Sequence, residues 1–452
     1  MGKIGLITDD MTGTMTCGVL LAQKGIKACS FFSKDDLEGA KDQDALILSA
    51  NSRNLKPEHA KKNVKEAYQA LKQQGAEYFT KRIDTTFRGG IGYEIDALLE
   101  EMPEDTIAIA AAAMPDTRRI LVGGYSIIDG TILTETGAAR DVLSPIKEAH
   151  IPTLLRSQSH YPVGEIPLKY VLDEEEKLME KLQECRNAGH KILVVDGITH
   201  QHLEKTASAV HRLGWNIVCV DPGAFTQKMA LCRGIGDPNR SGYLPKESPD
   251  IHQYKEKLLI VAGSATEVTK KQLHRLAQKD YCQIVSIEAE QLAKGGETAN
   301  TEIARGILLC RQAIENGNAK VIALETAAYG ARLNLKDIER DWGLNTGEAS
   351  ANINMGLGKI AESAANTLFD SGILGGIYMT GGDTLVSVLK SLGASGIRLV
   401  DTVQPQTNLG ILIGGKLNGT NIVGKGGLIG PDDTIIRVAE RLYDELSRRG
   451  DL

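Results

Sequence analysis

The stretch Tyr378-Met379-Thr380-Gly381-Gly382-Asp383-Thr384 decides the fold class. A short apolar run enters two glycines, an acid and a threonine, and residues 385–392 then read as a helix. Glycines let a backbone approach an anion closely, and the following helix offers free N–H groups and the positive end of its dipole. Downstream, Lys425-Gly426-Gly427 places a lysine in a segment with seven glycines between Gly414 and Gly430. One such loop is ordinary turn chemistry in any α/β protein. Two in one domain, with a lysine and an acid, point to nucleotide phosphates.

Outward from this unit the chain alternates strand and helix nearly throughout, which implies parallel sheets covered by helices. In the first half, strands are expected at 3–10, 27–32, 45–50, 78–83 and 107–113, then at 191–196 and 216–221. Helices fall between them at 12–24, 57–74, 92–102, 174–188 and 201–213. Residues 123–135 alternate apolar side chains around Asp129-Gly130 and predict a β-hairpin. Residues 236–250 carry three prolines, two glycines and no periodicity, and read as a linker. Strands then recur at 257–262, 283–288 and 320–325, with helices at 266–278, 301–316 and 348–369. Antiparallel strands are expected in 396–422 and a last helix at 433–449. The expected architecture is α/β with two domains, 1–245 and 255–452, each a largely parallel sheet flanked by helices, with some antiparallel strands in the second half.

Composition agrees with this reading. The 452 residues exceed what one core holds, and 42% hydrophobic and 24% charged residues are ordinary for a globular chain. Aromatics are only 4%, so the core must be aliphatic and rich in alanine. A net charge of −6 argues against a nucleic-acid partner. The seven cysteines are scattered and odd in number, without CxxC pairs, as expected of reduced thiols in a cytoplasm and not of structural zinc. No apolar run is long enough to span a bilayer. Walker A, Gly-x-Ser-x-Gly and His-Glu-x-x-His signatures are missing, and the nine histidines are dispersed.

Active sites in open α/β sheets lie beyond the carboxyl ends of the strands. The first strand ends in Asp9-Asp10, where one carboxylate is expected to cap the next helix and the other to orient a substrate hydroxyl or act as a base. The third ends in Asn51-Ser52-Arg53-Asn54; an arginine there is a fork for a carboxylate, although alone it reads as a surface residue. The fourth ends in Lys81-Arg82-Ile83-Asp84-Thr85-Thr86-Phe87-Arg88, and so many charges and hydroxyls exceed what folding requires. They suggest a pocket for an anionic, hydroxylated small molecule. Pro115-Asp116-Thr117-Arg118-Arg119 could add an anion contact, and Gly263-Ser264-Ala265-Thr266 a phosphate contact or only a helix cap.

These residues, in this order and spacing, resemble the four-carbon acid sugar kinases over essentially the whole chain. The similarity runs through Asp9 to Gly13, Ser52-Arg53, Asp84 to Gly89, Pro115 with Arg119, Gly124 and Asp141. In the second half it covers Gly263-Ser264 with Thr269 and Gln272, Gly381 to Thr384, and Lys425 with Gly427 and Gly430. The resemblance implies an N-terminal sugar-acid domain, a C-terminal nucleotide domain, and ATP-dependent phosphorylation of the terminal hydroxyl of a threonate, erythronate or 3-oxo-tetronate class acid, with Mg²⁺. It places Asp10, Arg53, Arg82, Asp84 and Thr85 at substrate contacts, with Asp10 or Asp84 as the activating carboxylate. Ser264, Gly381, Gly382, Asp383, Thr384 and Gly427 fall at ATP contacts, and no metal ligand is assigned. Implied partners are the small acid and ATP, with neither nucleic acid nor membrane; a homo-oligomer is left open. The chain departs from the family pattern at Thr14, Thr16, Arg82, Thr85, Gly90 and Leu428-Ile429, mostly on the acceptor side. The alternative is a nucleotide or sugar-acid sensor that kept the fold without catalysis.

Overall fold

In a computed structural model of the chain, residues 2–39, 42–141, 144–242, 248–326 and 333–450 are described. The chain divides into two compact units, Met1–Gly242 and Tyr243–Leu452. Part of the expected linker, residues 243–247, lies outside the described residues.

The N-terminal unit contains strands β1 (Lys3–Thr8), β2 (Ala28–Phe31), β3 (Ala45–Ser49), β4 (Ala76–Arg82), β5 (Ile107–Ala110), β6 (Arg119–Val122), β7 (Tyr125–Ile128), β8 (Thr131–Ile132), β9 (Val163–Ile166), β10 (Ile192–Val195) and β11 (Ile217–Asp221). Eight of them line up as β2-β3-β1-β4-β11-β5-β10-β9, and every pairing is parallel. Parallel strands covered on both faces read as continuous apolar runs, as Ile107 to Ala110 and Ile192 to Val195 do. From β1 the chain winds to β2 and β3 on one side, then crosses to β4 on the other. The crevice at the carboxyl ends beside β1 is therefore a topological switch point. Strands β6, β7 and β8 form a separate antiparallel sheet. Its tight turn is Asp129-Gly130, both with positive φ, as the sequence predicts.

The C-terminal unit contains β12 (Lys257–Ala262), β13 (Cys282–Ser286), β14 (Val321–Glu325), β15 (Leu374–Thr380), β16 (Gly396–Gln404), β17 (Thr407–Ile413) and β18 (Asn421–Lys425), in the order β13-β14-β12-β15-β18-β17-β16. The first five of that order pair in parallel; β17 is antiparallel to both β18 and β16. This is the antiparallel element expected at 396–422. The chain winds from β12 to β13 and β14, then crosses to β15, so a second switch point lies between β12 and β15.

Helix positions follow local signals. Pro57 opens helix Pro57–Gln73, where its missing N–H has no role to lose. Asp10 caps Met11–Ala22 and Thr266 caps Glu267–Ala277. The alanine-rich helix is Glu348–Asp370. Short elements not anticipated include helices Ile151–Gln158, Ala224–Cys232 and Leu335–Trp342, and strand β9. The core is aliphatic, and all seven cysteines are free. Among the described residues no helix is long and apolar enough to cross a membrane.

Candidate active site

Strands β3, β1 and β4 are neighbours, so their carboxyl ends bring Arg53, Asp9, Asp10, Arg82 and Asp84 together. Arg53 reaches three carboxylates: Nε to Asp9 Oδ2 at 2.7 Å, Nη1 to Asp10 Oδ2 at 2.6 Å and Nη2 to Asp84 Oδ1 at 3.7 Å. Arg82 Nη1 lies 2.9 Å from Asp9 Oδ1 and 3.4 Å from Asp10 Oδ1. Gly13 makes this possible, because a Cβ there would overlap the Arg82 guanidinium and the Asp10 carboxylate. Asp84 also accepts from Arg88 Nε at 2.7 Å and from the Thr86 hydroxyl, and Arg88 Nη1 bonds Asp141 at 3.0 Å.

The three carboxylates differ in charge state and exposure. Burial raises the pKa of Asp9, but Arg82, Arg53 and Lys81 outweigh it and hold the group below the usual range. Burial likewise opposes ionisation of Asp84, and Arg88 and Arg53 overcome it, leaving the group firmly ionised. Asp10 goes the other way. Burial and the charge of Asp9 raise its pKa against the pull of Arg53 and Arg82. Its side chain is 27% exposed, against 4% for Asp9 and 7% for Asp84, so Asp10 is the carboxylate that reaches solvent.

Backbone strain collects at the same strand ends. Asn51 (φ 47°), Phe87 (φ 57°) and Arg118 (φ 53°) are non-glycine residues in the left-handed region, following β3, β4 and β5. Such conformations cost free energy and gather at functional sites. A cavity of about 430 Å³ opens beside Arg53, walled in part by Phe87, Tyr93, Ile146, Leu154 and Gln158.

In the C-terminal unit, β12, β15 and β18 are adjacent, and their carboxyl ends carry residues 263–266, 381–384 and 425–430. The last loop is held by its carbonyls. Gly427 O accepts from Thr266 Oγ1 (2.6 Å) and Thr269 Oγ1 (3.1 Å). Gln272 Nε2 donates to the carbonyls of Ile429, Gly430 and Pro431 at 2.9–3.2 Å. Lys425 Nζ donates to Gly426 O and Ile429 O at 2.8 and 2.9 Å. With the carbonyls turned inward, the amides of Gly427 and Leu428 have no acceptor among the described residues. Helix Gly382–Ser391 starts after Gly381, at φ 106°, with no side-chain cap. Free amides and an uncapped helix start form an anion cradle. Lys425 is buried with no carboxylate partner among the described residues, and desolvation pushes its pKa down to about 8. A Cβ on Gly427 would overlap Ser264.

The structure thus gathers Asp10, Arg53, Arg82 and Asp84 at one end of the first sheet, with Thr85 half-buried in the turn that follows β4. Ser264, Gly381, Gly382, Asp383, Thr384 and Gly427 gather at one end of the second. Some details differ from the expectation. The cap and the more exposed carboxylate, expected on different residues, are both Asp10, which accepts from Gly13 N at 2.7 Å, while Asp9 is sealed between two arginines. Lys81 does not join the cluster, since strand alternation turns it to a fully buried pair with Glu94 at 2.7 Å. The Thr384 hydroxyl donates to Asn354 at 2.8 Å, which leaves its backbone amide for a ligand. Sequence reasoning passed over Asn354 and the many bonds of Gln272. It also missed Asp196, which accepts from the amides of Gly123, Gly124 and Leu168 at 2.7–3.0 Å and fixes the β6–β7 hairpin. Among the described residues no three His, Cys, Asp or Glu side chains group as a metal site.

Residues 4–229 match the sugar-binding N-terminal domain family, and residues 259–435 the nucleotide-binding C-terminal domain family. The chain is 33% identical to a D-erythronate kinase of Heliobacterium modesticaldum over 99% of its own length and 98% of the relative's. It is 26% identical to a D-threonate kinase of Salmonella typhimurium over 96% of each chain, and 24% identical to a 3-oxo-tetronate kinase of Pseudomonas fluorescens over 91% of each. Its fold is that of a solved Salmonella typhimurium protein (TM-score 0.78, 20% identity, 97% of this chain and 99% of the other). A Haemophilus influenzae protein shares it too (TM-score 0.73, 23% identity, 97% and 100%). With both domain families matched in order and a relative a third identical from end to end, the chain belongs to the four-carbon acid sugar kinase family.

Proposed function

We propose that the protein transfers the γ-phosphoryl group of ATP to the terminal hydroxyl of a four-carbon sugar acid of the erythronate, threonate or 3-oxo-tetronate class. The observation that carries the reading is the loop set at the ends of β12, β15 and β18, whose carbonyls are tied inward while amides and a helix start remain for a polyphosphate, beside a buried ammonium bonded only to neutral carbonyls among the described residues. The relatives supply the acceptor class. The N-terminal unit then takes the acid and the C-terminal unit the nucleotide.

Residues 381–384, Ser264 and Gly427 hold the phosphates by backbone approach, and Lys425 offsets their charge. A Mg²⁺ ion supplies further charge neutralisation when it arrives with the nucleotide. Asp383, exposed in the first turn of its helix, is the carboxylate available to it there. On the acceptor side Asp10 takes the hydroxyl proton as the oxygen attacks phosphorus and ADP leaves. Its raised pKa and greater exposure suit a base better than Asp84, whose pKa Arg88 and Arg53 hold down. The work is mostly positioning and electrostatics.

The test is ADP release with a panel of four-carbon acids, D and L, including the 3-oxo forms. Turnover of at least one acid, with a phosphate monoester at its terminal carbon, is the expected result. ATP or acid binding without turnover of any panel member would favour the sensor.

A further inference from the structure

The arginines of the first-unit cluster are largely spent on the protein itself. Arg53 reaches Asp9, Asp10 and Asp84; Arg82 reaches Asp9 and Asp10; Arg88 reaches Asp84 and Asp141. A guanidinium already forked onto carboxylates has little left for a ligand anion. Arg82 also keeps a buried Nε without a hydrogen-bond partner among the described residues, but its Nη1 is shared by two carboxylates, whereas Arg119 has no carboxylate partner among the described residues. The left-handed turn at Arg118 separates two consecutive arginines. Arg118 points to solvent and pairs with exposed Asp129 at 2.8 Å, whereas Arg119 is half-buried at the start of β6. Its Nη1 donates to Thr117 O at 3.1 Å, and its buried Nε has no hydrogen-bond partner among the described residues. Burial pushes its pKa down, and the charge of Asp84 restores only part of the shift. A desolvated guanidinium with one neutral acceptor is a costly thing to fold around, and an incoming anion relieves it.

We propose that Arg119 is the specificity-determining residue that receives the carboxylate of the acid, and that Arg53 and Arg82 are positioning residues which set Asp9 and Asp10. The hairpin that carries Arg119 is anchored by Asp196 through Gly123 and Gly124, so the guanidinium is held by a rigid element. This rests on reading the chain as a sugar-acid kinase.

The experiment uses the full-length enzyme and its best acid. Wild-type turnover comes first; if no acid is a substrate, it is the kinase reading that fails, before any variant is made. With turnover in hand, Arg119→Met should raise the acid KM about 10–100-fold, the worth of a charge-assisted fork. A group that holds the far end of the substrate contributes uniform binding, so kcat should stay within about threefold. The KM for ATP should not move. The four-carbon polyol without a carboxylate should inhibit wild type and variant equally. An unchanged acid KM, a kcat loss at constant KM, or an equal rise in the ATP KM overturns the assignment. Should Arg119→Met fail to fold, Arg119→Lys keeps the charge and loses the fork, and its acid KM decides in the same way.

Discussion

Replacing Gly13 by alanine tests whether the arginine–aspartate cluster is as rigid as its geometry implies. Alanine favours a helix over glycine by about 0.5–1 kcal/mol, and less in a first turn, so on propensity alone the variant gains. The new Cβ, however, would overlap Arg82 and Asp10. Were the guanidinium free, it would swing away at little cost. It is 5% exposed and shared between Asp9 and Asp10, so it has nowhere better to go. Overpacking costs about 1–3 kcal/mol, and loss of a partner from a buried ion pair about 3–5 kcal/mol. Set against the propensity gain, net destabilisation should be about 1–4 kcal/mol. A urea titration should show a lower midpoint at constant slope. Turnover should fall with it, because Asp10 moves. Equal or greater stability in Gly13→Ala would mean that Arg82 yields freely, and the picture of a fixed acceptor template would be wrong.

The remaining expectations concern charge and approach. Lys425 has its folded pKa lowered to about 8, so nucleotide affinity should be constant below pH 8 and weaken as pH rises through it. Fold stability should move oppositely, rising above pH 8 as the buried ammonium of the folded state loses its proton before that of the unfolded chain. Lys425→Met should remove both trends. Asp10→Asn should lower kcat by roughly 10²–10⁴-fold with modest KM effects. Asp84→Asn should instead appear mainly as lost stability, about 3–5 kcal/mol for breaking a buried pair, in thermal or urea melts. If both retain near-normal turnover, neither carboxylate is the base and Asp383 becomes the residue to test. Gly427→Ala should raise the KM for ATP by about tenfold or more, as the Cβ forces Ser264 aside, and leave the acid KM alone. Equal changes in both constants would place Gly427 in the fold and not the site.

The two switch points were legible because they are local. Strand, Gly-Gly, acid and helix lie in consecutive residues at 378–392, and the Asp9-Asp10 pair ends the first strand. What the chain hides is pairing at a distance. Nothing near Arg53 announces that its fork is filled by acids at positions 9, 10 and 84. Gln272 is an ordinary helical residue until the fold lays three carbonyls of the 429–431 loop against it. Asp196 is one acid among many until two glycine amides more than seventy residues upstream turn toward it. The fate of Lys81 could have been read: adjacent residues of a strand face opposite ways, so Lys81 and Arg82 could not both serve one site. The short helices after β8, β11 and β14 escaped because their periodicity is too brief to register.

The β6–β8 hairpin forms its own small sheet, tied to the end of β10 by the Asp196 carboxylate at Gly123 and Gly124 and by a reciprocal pair of backbone hydrogen bonds between Leu121 and Gly197. Among the described residues its strands share no ladder with β1, β3 or β4, so substitutions in it should leave the register of those strands, and with it the Asp10 cluster, in place. With Arg119 assigned to the carboxylate as proposed, the proton acceptor and the carboxylate anchor would sit on separately mutable parts. The same separation makes the hairpin, grafted between relatives with its Asp196 anchor kept, a unit in which the hold on the carboxylate can be varied apart from the chemistry.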